Sequence, residues 1–408
     1  MKRILFVDDE PRVLEGLEDL LSSRRSEWDM VFVTSGDAAL GELARRDFDV
    51  VVSDMRMPGM DGATLLAKVR DRKPQVVRIV LSGFAESEAM LRLASIAHQF
   101  LTKPTSAAKM ASVLERACGL HTLINTDRIR EVVANIEKLP SLPSVYATLQ
   151  EATSNERSSA ADLARIIETD VAMCAKVLQL ANSAFFGRGH RISSIEGATA
   201  YLGVNTLRSL VLSVTVFEPW RKAALRGLSL QELQTRGLQV STLASQILCH
   251  DRRQAEDAFT AGMLHDVGKL VLALGAPEQL EAALAKADSA SVPFHVAEQE
   301  LFGVTHAEVG AYLLGLWGLP PAVVEAVARH HCPSNLAPRG LDVVTAVHVA
   351  STLVERYAEP ARFPPPALDL SHLEPSGLLD RLPAWTELAV AQKQALENPA
   401  PSRQRSLR

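Results

Sequence analysis

The hydrophobic pattern of the chain changes at about residue 120. Before that point, short apolar runs alternate with amphipathic stretches. Ile4–Val7 is a continuous apolar run, and Val13, Leu14, Leu17, Leu20 and Leu21 then repeat at helical spacing. Met30–Val33, Val50–Val52, Val76–Leu81 and Gln99–Leu101 are further runs, with helical stretches between them. Continuous runs rich in β-branched residues predict strands buried on both faces. Such strands separated by helices predict an open, five-stranded parallel α/β sheet. From Thr122 to Ala350 the periodicity is almost entirely helical, over Ala161–Leu180, Ile195–Phe217, Leu230–Leu248, Phe259–Leu274, Ala307–Leu316 and Pro321–His330. This predicts an all-α domain. The expected boundaries are 1–121 for the α/β domain, 122–138 for a connecting helix and 139–357 for the helical domain. Residues 358–408 are expected to form a Pro-containing C-terminal segment with a disordered end. Leu139-Pro140-Ser141-Leu142-Pro143 punctuates the start of the helical domain, and Phe363-Pro364-Pro365-Pro366 is a breaker after it.

Composition narrows the class. With 408 residues, 47% of them apolar and 22% charged, the chain can build real cores, and its length predicts two or three domains. A formal net charge of −5 argues against a surface tuned for nucleic acid or an acidic membrane. The cysteines Cys118, Cys174, Cys249 and Cys332 lie far apart without a CxxC, which argues against a disulfide framework and favours a reducing compartment. The N-terminus MKRILFVDDE is too short in apolar residues for a signal-peptide core, and no run approaches the ~18 residues needed to span a bilayer. A soluble cytoplasmic protein is expected.

Functional residues of an open parallel sheet gather at the carboxyl ends of its strands. Here the first strand ends in Asp8-Asp9, the third in Asp54 and the fourth in Ser82-Gly83, and Lys103-Pro104 follows the fifth. Each alone is ordinary, since a lone strand-end Asp is usually a helix cap. Their convergence on one edge is not. Crowded carboxylates repel one another, and Mg²⁺ is a fitting counter-charge with its preference for oxygen ligands. Asp54 can then attack phosphorus and form an acyl phosphate. Lys103 would pair with the phosphoryl oxygens, and Ser82 would hydrogen-bond them.

Residues 1–120 resemble a two-component response-regulator receiver domain. The matching stretches are Val7-Asp8-Asp9-Glu10, Asp54-Met55-Arg56-Met57-Pro58-Gly59-Met60-Asp61-Gly62, Leu81-Ser82-Gly83 and Leu101-Thr102-Lys103-Pro104. The resemblance implies Asp54 as phosphoacceptor, with Asp8, Asp9, Asp54 and the Arg56 carbonyl at a Mg²⁺ ion. It also implies a flavodoxin-like fold, Ser82 and Phe100 as a switch pair and Lys103 as the phosphate contact. A histidine kinase or phosphotransfer protein is the implied partner.

In the helical region, Ala261-Gly262-Met263-Leu264-His265-Asp266-Val267-Gly268-Lys269-Leu270 places His and Asp side by side on a predicted helix. With His306 and the His330-His331 pair on later helices, these side chains could converge on a metal in a bundle core. Equally, each could be a buried, hydrogen-bonded histidine. Residues 135–335 resemble the HDOD family, a relative of the HD-type metal phosphohydrolases. The resemblance rests on Leu139–Pro143, Leu180–Gly187, Ala200-Tyr201-Leu202-Gly203, Gly262–Leu270, and Thr305–Gly310 through Leu316–Pro320. A catalytic HD site also needs an earlier histidine and a late aspartate. The first position falls at Arg236-Gly237-Leu238 and the second at His348-Val349-Ala350-Ser351. His265, Asp266, His306, His330 and His331 therefore read as a degenerate remnant, and no metal is expected in this domain. The expected whole is a phosphorelay response regulator whose non-catalytic HDOD domain acts on a downstream protein. A phosphorylation-gated metal phosphodiesterase or phosphohydrolase is the alternative. A transcription factor is a weaker one, since no basic recognition helix is evident and no nucleic-acid or membrane partner is expected. Receivers often dimerise, and the sequence does not decide whether this chain does.

Overall fold

The computed structural model describes residues 1–82, 96–103, 105–120, 158–182, 192–203, 227–337, 340–357 and 362–397, with isolated positions between 132 and 152 and at 218–219. The N-terminal domain runs β1 (Lys2–Val7), α1 (Pro11–Leu20), β2 (Trp28–Val33), α2 (Gly36–Arg45), β3 (Val50–Asp54), α3 (Gly62–Arg72), β4 (Val77–Ser82), β5 (Gln99–Thr102) and α4 (Ala107–Leu120). The 5-stranded sheet has the order β2-β1-β3-β4-β5, with parallel pairing throughout. Alternation along the strands fills both faces. Ile4, Phe6, Val50, Val52 and Ile79 pack on one side with Leu14, Leu17, Met110 and Leu114. Leu5, Val7, Val51 and Val80 pack on the other with Ala39, Leu43, Leu65 and Leu66. Helices on both faces explain why these strands read as unbroken apolar runs. The register pairs Val7 with Ser53, Asp54 with Leu81, and Ser82 with Thr102, so the carboxyl ends finish at one edge.

Local chemistry fixes the turns at that edge. Ser35 caps α2 by accepting from Ala38 N, and Asp61 caps α3 by accepting from Thr64 N at 2.8 Å. At the opposite end Arg78 is buried on β4, and its guanidinium is satisfied by the carbonyls of Pro74, Val76 and Ile96 and by the His98 ring.

The helical domain comprises α5 (Ala160–Ile167), α6 (Val171–Asn182), α7 (Ile195–Leu202), α8 (Leu230–Ile247), α9 (Arg252–Leu264), α10 (Val267–Gly275), α11 (Pro277–Ala290), α12 (Phe294–Phe302), α13 (His306–Leu316), α14 (Pro321–Arg329), α15 (Val343–Arg356), α16 (Leu370–Leu373) and α17 (Leu382–Glu397). Two stretches predicted as single helices are each broken in two. Ala161–Leu180 is interrupted at Asp170, whose buried carboxylate accepts from Met173 N at 2.9 Å and from Gln234 Nε2 at 2.7 Å. Phe259–Leu274 is interrupted at His265-Asp266, which therefore sit at the junction of α9 and α10 and not within a helix. The stretch Ile195–Phe217 is helical as far as Leu202, where Gly203 adopts φ 77°. Residues 204–217 lie outside the described residues, as does the connector 122–138 apart from Val132, Val133 and Ile136.

Beyond the Pro-rich breaker the chain folds back. Leu373, Leu378 and Trp385 are buried, and Gln392 Nε2 donates to Gln239 O at 3.0 Å. The two domains also touch. Gln99 on β5 donates from Nε2 to Gly315 O at 3.4 Å on α13, and one buried apolar cluster runs from the α1/α4 face of the sheet into the helices. Among the described residues, no helix is long and apolar enough to cross a membrane.

Candidate functional site

The sheet edge brings together Asp8 and Asp9 from the end of β1, Asp54 from the end of β3 and Lys103 after β5. Asp8 and Asp54 are buried, at 1% and 7% exposure. The Lys103 ammonium donates to Asp8 Oδ2 at 2.6 Å and forms a closer ion pair with Asp54. Burial alone would lower the Lys103 pKa, but its hydrogen bonds to Asp54 and Asp8 outweigh that and raise it. The other oxygens are held by backbone: Glu10 N donates to Asp8 Oδ1 at 3.0 Å, and Arg56 N to Asp54 Oδ2 at 2.7 Å. Gly62 opens α3 directly against β3. A Cβ there would fall 2.1 Å from Asp54 O, so only glycine lets the helix begin at this point. Ser82 ends β4 and Phe100 lies on β5, but their side chains are outside the described residues, as is Gly83. An all-oxygen, anionic donor set fits Mg²⁺, with Asp8, Asp9, Asp54 and the Arg56 carbonyl as the groups that would hold it.

A second constellation lies in the helical domain. His265, Asp266, His306 and His330 are all buried, and His331 is half-buried beside them. His265 and Asp266 do not form the hydrogen-bonded pair that adjacency suggests, since His265 Nε2 is 3.5 Å from Asp266 Oδ2. Instead Asp266 binds Lys269 Nζ through Oδ2 at 2.7 Å and faces His306 Nε2 through Oδ1 at 3.1 Å. His265 Nδ1 lies 2.7 Å from Gly262 O, and His330 Nδ1 lies 2.8 Å from Val327 O. Both nitrogens must therefore donate, leaving each Nε2 as a lone pair. His306 Nδ1 is 2.5 Å from Glu298 Oε2, and His306 Nε2 is 3.1 Å from His331 Nε2. The backbones close in here as well. A Cβ on Gly268 would meet His306 O at 1.9 Å, so α10 and α13 are in direct main-chain contact.

Electrostatics divides the cluster. Burial would raise the Asp266 pKa, but His265, Lys269 and His306 hold it well below the usual carboxylate range. Burial and neighbouring imidazoles push His330 and His331 well below the ordinary histidine value, and burial lowers His265. Burial also opposes protonation of His306, yet the Glu298 and Asp266 carboxylates raise its pKa. The cluster opens on a cleft lined by Arg236, Lys269, Phe294, His295, His306 and His331.

Arg236, at the position where an earlier histidine ligand would stand, lies 3.6 Å from Glu355 in an ion pair. Ser351, at the late position, donates to His348 O at 3.1 Å. His348 is itself satisfied, by His330 O at 2.7 Å and by Asp369 N at 2.9 Å. Sequence reasoning missed Glu298 and His295. Glu298 had a signal: with Phe294 and Ala297 it occupies the buried stripe of α12, where a carboxylate needs a partner.

Residues 4–115 match the response regulator receiver domain, and residues 139–333 match the HDOD domain. An uncharacterised protein of Treponema pallidum is 28% identical over 211 residues, which is 49% of this chain and 39% of that protein. The hydrogenase transcriptional regulatory protein HoxA of Cupriavidus necator is 38% identical over 103 residues, 25% of this chain and 21% of that protein. The chain thus spans well under half the length of either relative. The crystal structure of the MmoQ response regulator from Methylococcus capsulatus is 22% identical, with a TM-score of 0.48 over 62% of this chain and 98% of that one.

Proposed function

Because the chain is a response regulator, a receiver domain followed by an HDOD domain, we propose that Asp54 accepts a phosphoryl group from a histidine kinase or phosphotransfer protein. The observation that carries this reading is the Lys103 ammonium shared between Asp8 and Asp54 at the carboxyl edge of the sheet. In the transfer, an Asp54 carboxylate oxygen attacks phosphorus, the P–N bond of the donor phosphohistidine breaks, and the freed imidazole takes up a proton. Asp8, Asp9, Asp54 and the Arg56 carbonyl would hold Mg²⁺. The chemistry that ion supplies when bound is neutralisation of charge between the carboxylates and the phosphoryl oxygens. Lys103 adds a fixed cation to the same oxygens. Ser82 and Phe100 act as the switch pair. Gln99 stands next to Phe100 on β5 and touches α13, so a change at β5 has a short route to the helical domain.

The helical domain then acts by binding or releasing a partner protein, and not by hydrolysis. Arg236 and Ser351 stand where a hydrolytic centre needs an imidazole and a carboxylate, and a cation at 236 repels a metal pair. A cytoplasmic setting suits both the kinase partner and the unpaired cysteines. The test is incubation of the full chain with acetyl phosphate and Mg²⁺, read by intact mass, followed by partner capture from matched phosphorylated and unphosphorylated samples. One phosphoryl group per chain, absent in Asp54→Asn, is expected. Phosphorylation retained in Asp54→Asn would overturn the assignment. Turnover of a cyclic dinucleotide that disappears in His265→Ala would overturn the non-catalytic output.

A further inference from the structure

We infer that the buried histidine cluster of the helical domain is a binding site for one borderline divalent transition ion such as Zn²⁺ or Fe²⁺, held by His306, His330, His331 and Asp266. The inference goes beyond the receiver chemistry and does not depend on it. It also revises the expectation that this domain holds no metal.

The first observation is spacing. A ligand atom from each of His306, His330 and His331 lies within 4.8 Å of the others. His331 Nε2 and Asp266 Oδ1 each lie 3.1 Å from His306 Nε2. Two donors roughly 2.1 Å from a common ion stand about 3.0–3.4 Å apart when they subtend octahedral to tetrahedral angles. The pairs His306–His331 and His306–Asp266 have that spacing, and His330, at the end of α14, stands within the wider 4.8 Å limit of the other two imidazoles.

The second observation is hydrogen-bond satisfaction. A metal-ligating histidine donates its other ring N–H to a carbonyl or carboxylate, which fixes the tautomer and aims the lone pair. His330 does this to Val327 O and His306 does it to Glu298 Oε2. Among the described residues, His330 Nε2, His331 Nδ1 and His265 Nε2 are buried without a hydrogen-bond partner. Polar atoms without a partner at this depth are uncommon in folded proteins, and two of these, His265 Nε2 and His330 Nε2, belong to rings whose centroids are 5.2 Å apart. A proton on His306 would serve Glu298 and Asp266, but it would leave the His330 lone pair unanswered.

The third observation is chemical preference and access. An imidazole-rich set with one carboxylate suits Zn²⁺ or Fe²⁺ and not Mg²⁺ or Ca²⁺. His306 and His331 line the cleft, so an ion can reach them. Arg236 and Glu355 pair on the same cleft, where a second ion would otherwise need ligands. The site is therefore read as mononuclear.

The test uses the full chain stripped with chelator and titrated with Co²⁺ in excess Mg²⁺, which saturates the oxygen-only receiver site. One equivalent with a visible ligand-field spectrum is expected, displaced by Zn²⁺. His331→Ala, at a half-buried position, and His330→Ala should each abolish stoichiometric binding, with far-ultraviolet circular dichroism checking the fold. Glu298→Gln keeps the volume of the side chain that orients His306 and should weaken Zn²⁺ by roughly 10- to 100-fold. The inference is overturned by absence of stoichiometric binding, by binding that survives both histidine variants, or by two ions lost together.

Discussion

Gly268→Ala tests whether the contact of α10 with α13 holds the histidine cluster together. The added Cβ would meet His306 O at 1.9 Å, Gly310 N at 2.7 Å and His306 C at 2.8 Å. All of these are backbone atoms, so no rotamer change relieves the overlap and one helix must move by more than an ångström. Overpacking that flexible side chains absorb costs about 1–3 kcal/mol. Here the cost should reach or exceed the top of that range, about 3–5 kcal/mol, which is exceptional for one methyl group. For a helical domain of this size, that corresponds to a fall in Tm of roughly 6–20 °C. The assay is calorimetry of the full chain, following the transition of the helical domain. Gly41→Ala is the control. That glycine is exposed within α2 with nothing within 4 Å, so the substitution should stabilise by about 0.5–1 kcal/mol through helix propensity. If Gly268→Ala lowered Tm by less than ~2 °C, the direct main-chain contact would be wrong. The placement of His306 opposite Asp266 would fail with it.

Four further outcomes follow from the geometry. Lys103→Met leaves Asp8 and Asp54 without their shared cation, so the variant should lose about 1–3 kcal/mol without divalent ions and regain more of it than the wild type on adding Mg²⁺, as read by Tm. Gly62→Ala pushes on the Asp54 carbonyl at 2.1 Å, and phosphorylation by acetyl phosphate should slow about 10²-fold, whereas an unchanged rate would refute the contact. Burial first, and then neighbouring imidazoles, lowers His295 to about 4 and His330 and His331 well below 6.5, so the folded state binds fewer protons than the unfolded chain in mildly acidic solution. Stability should therefore fall as pH drops from about 6.5 towards 4, with His306, whose pKa is raised, opposing this only in part; urea midpoints that stay flat over this window would contradict it. Finally, a thiol reagent should label the exposed Cys249 and Cys332 in the native protein and spare the buried Cys174 and Cys118, the latter pushed up to about 12 by burial; labelling of all four without denaturant would refute that burial.

What could be read from sequence divides along the range of the interactions that set it. The sheet was legible because its strands are buried on both faces, so continuous runs such as Val50–Val52 carry their own assignment. The carboxylate edge was legible because a parallel sheet sends every strand end to the same side. Asp8, Asp54 and Lys103 are distant in sequence, but the topology alone brings them together. Within the helical domain, periodicity found the apolar faces but not the breaks at Asp170 and His265-Asp266. A capping carboxylate looks like any polar residue until its partners are known, and Asp170 depends on Gln234 from another helix.

The histidine cluster shows the same limit from the chemical side. Counting ligands along the chain removed an imidazole at 236 and a carboxylate at 351, and that count argued for an inert remnant. The count is sound for a hydrolytic pair of ions, which needs every ligand. It says nothing about the lone pairs that remain, because their direction is set by groups no motif contains. The carbonyls of Gly262 and Val327 and the Glu298 carboxylate take one ring proton each. The opposite nitrogens are thereby left as lone pairs, and those of His330 and His265 find no partner among the described residues. A cluster short of the ligands for a hydrolytic ion pair can still hold one ion, since the contact of α10 with α13 sets His306 opposite Asp266. Metal content and catalytic activity are therefore separate questions for this domain, each read by its own assay.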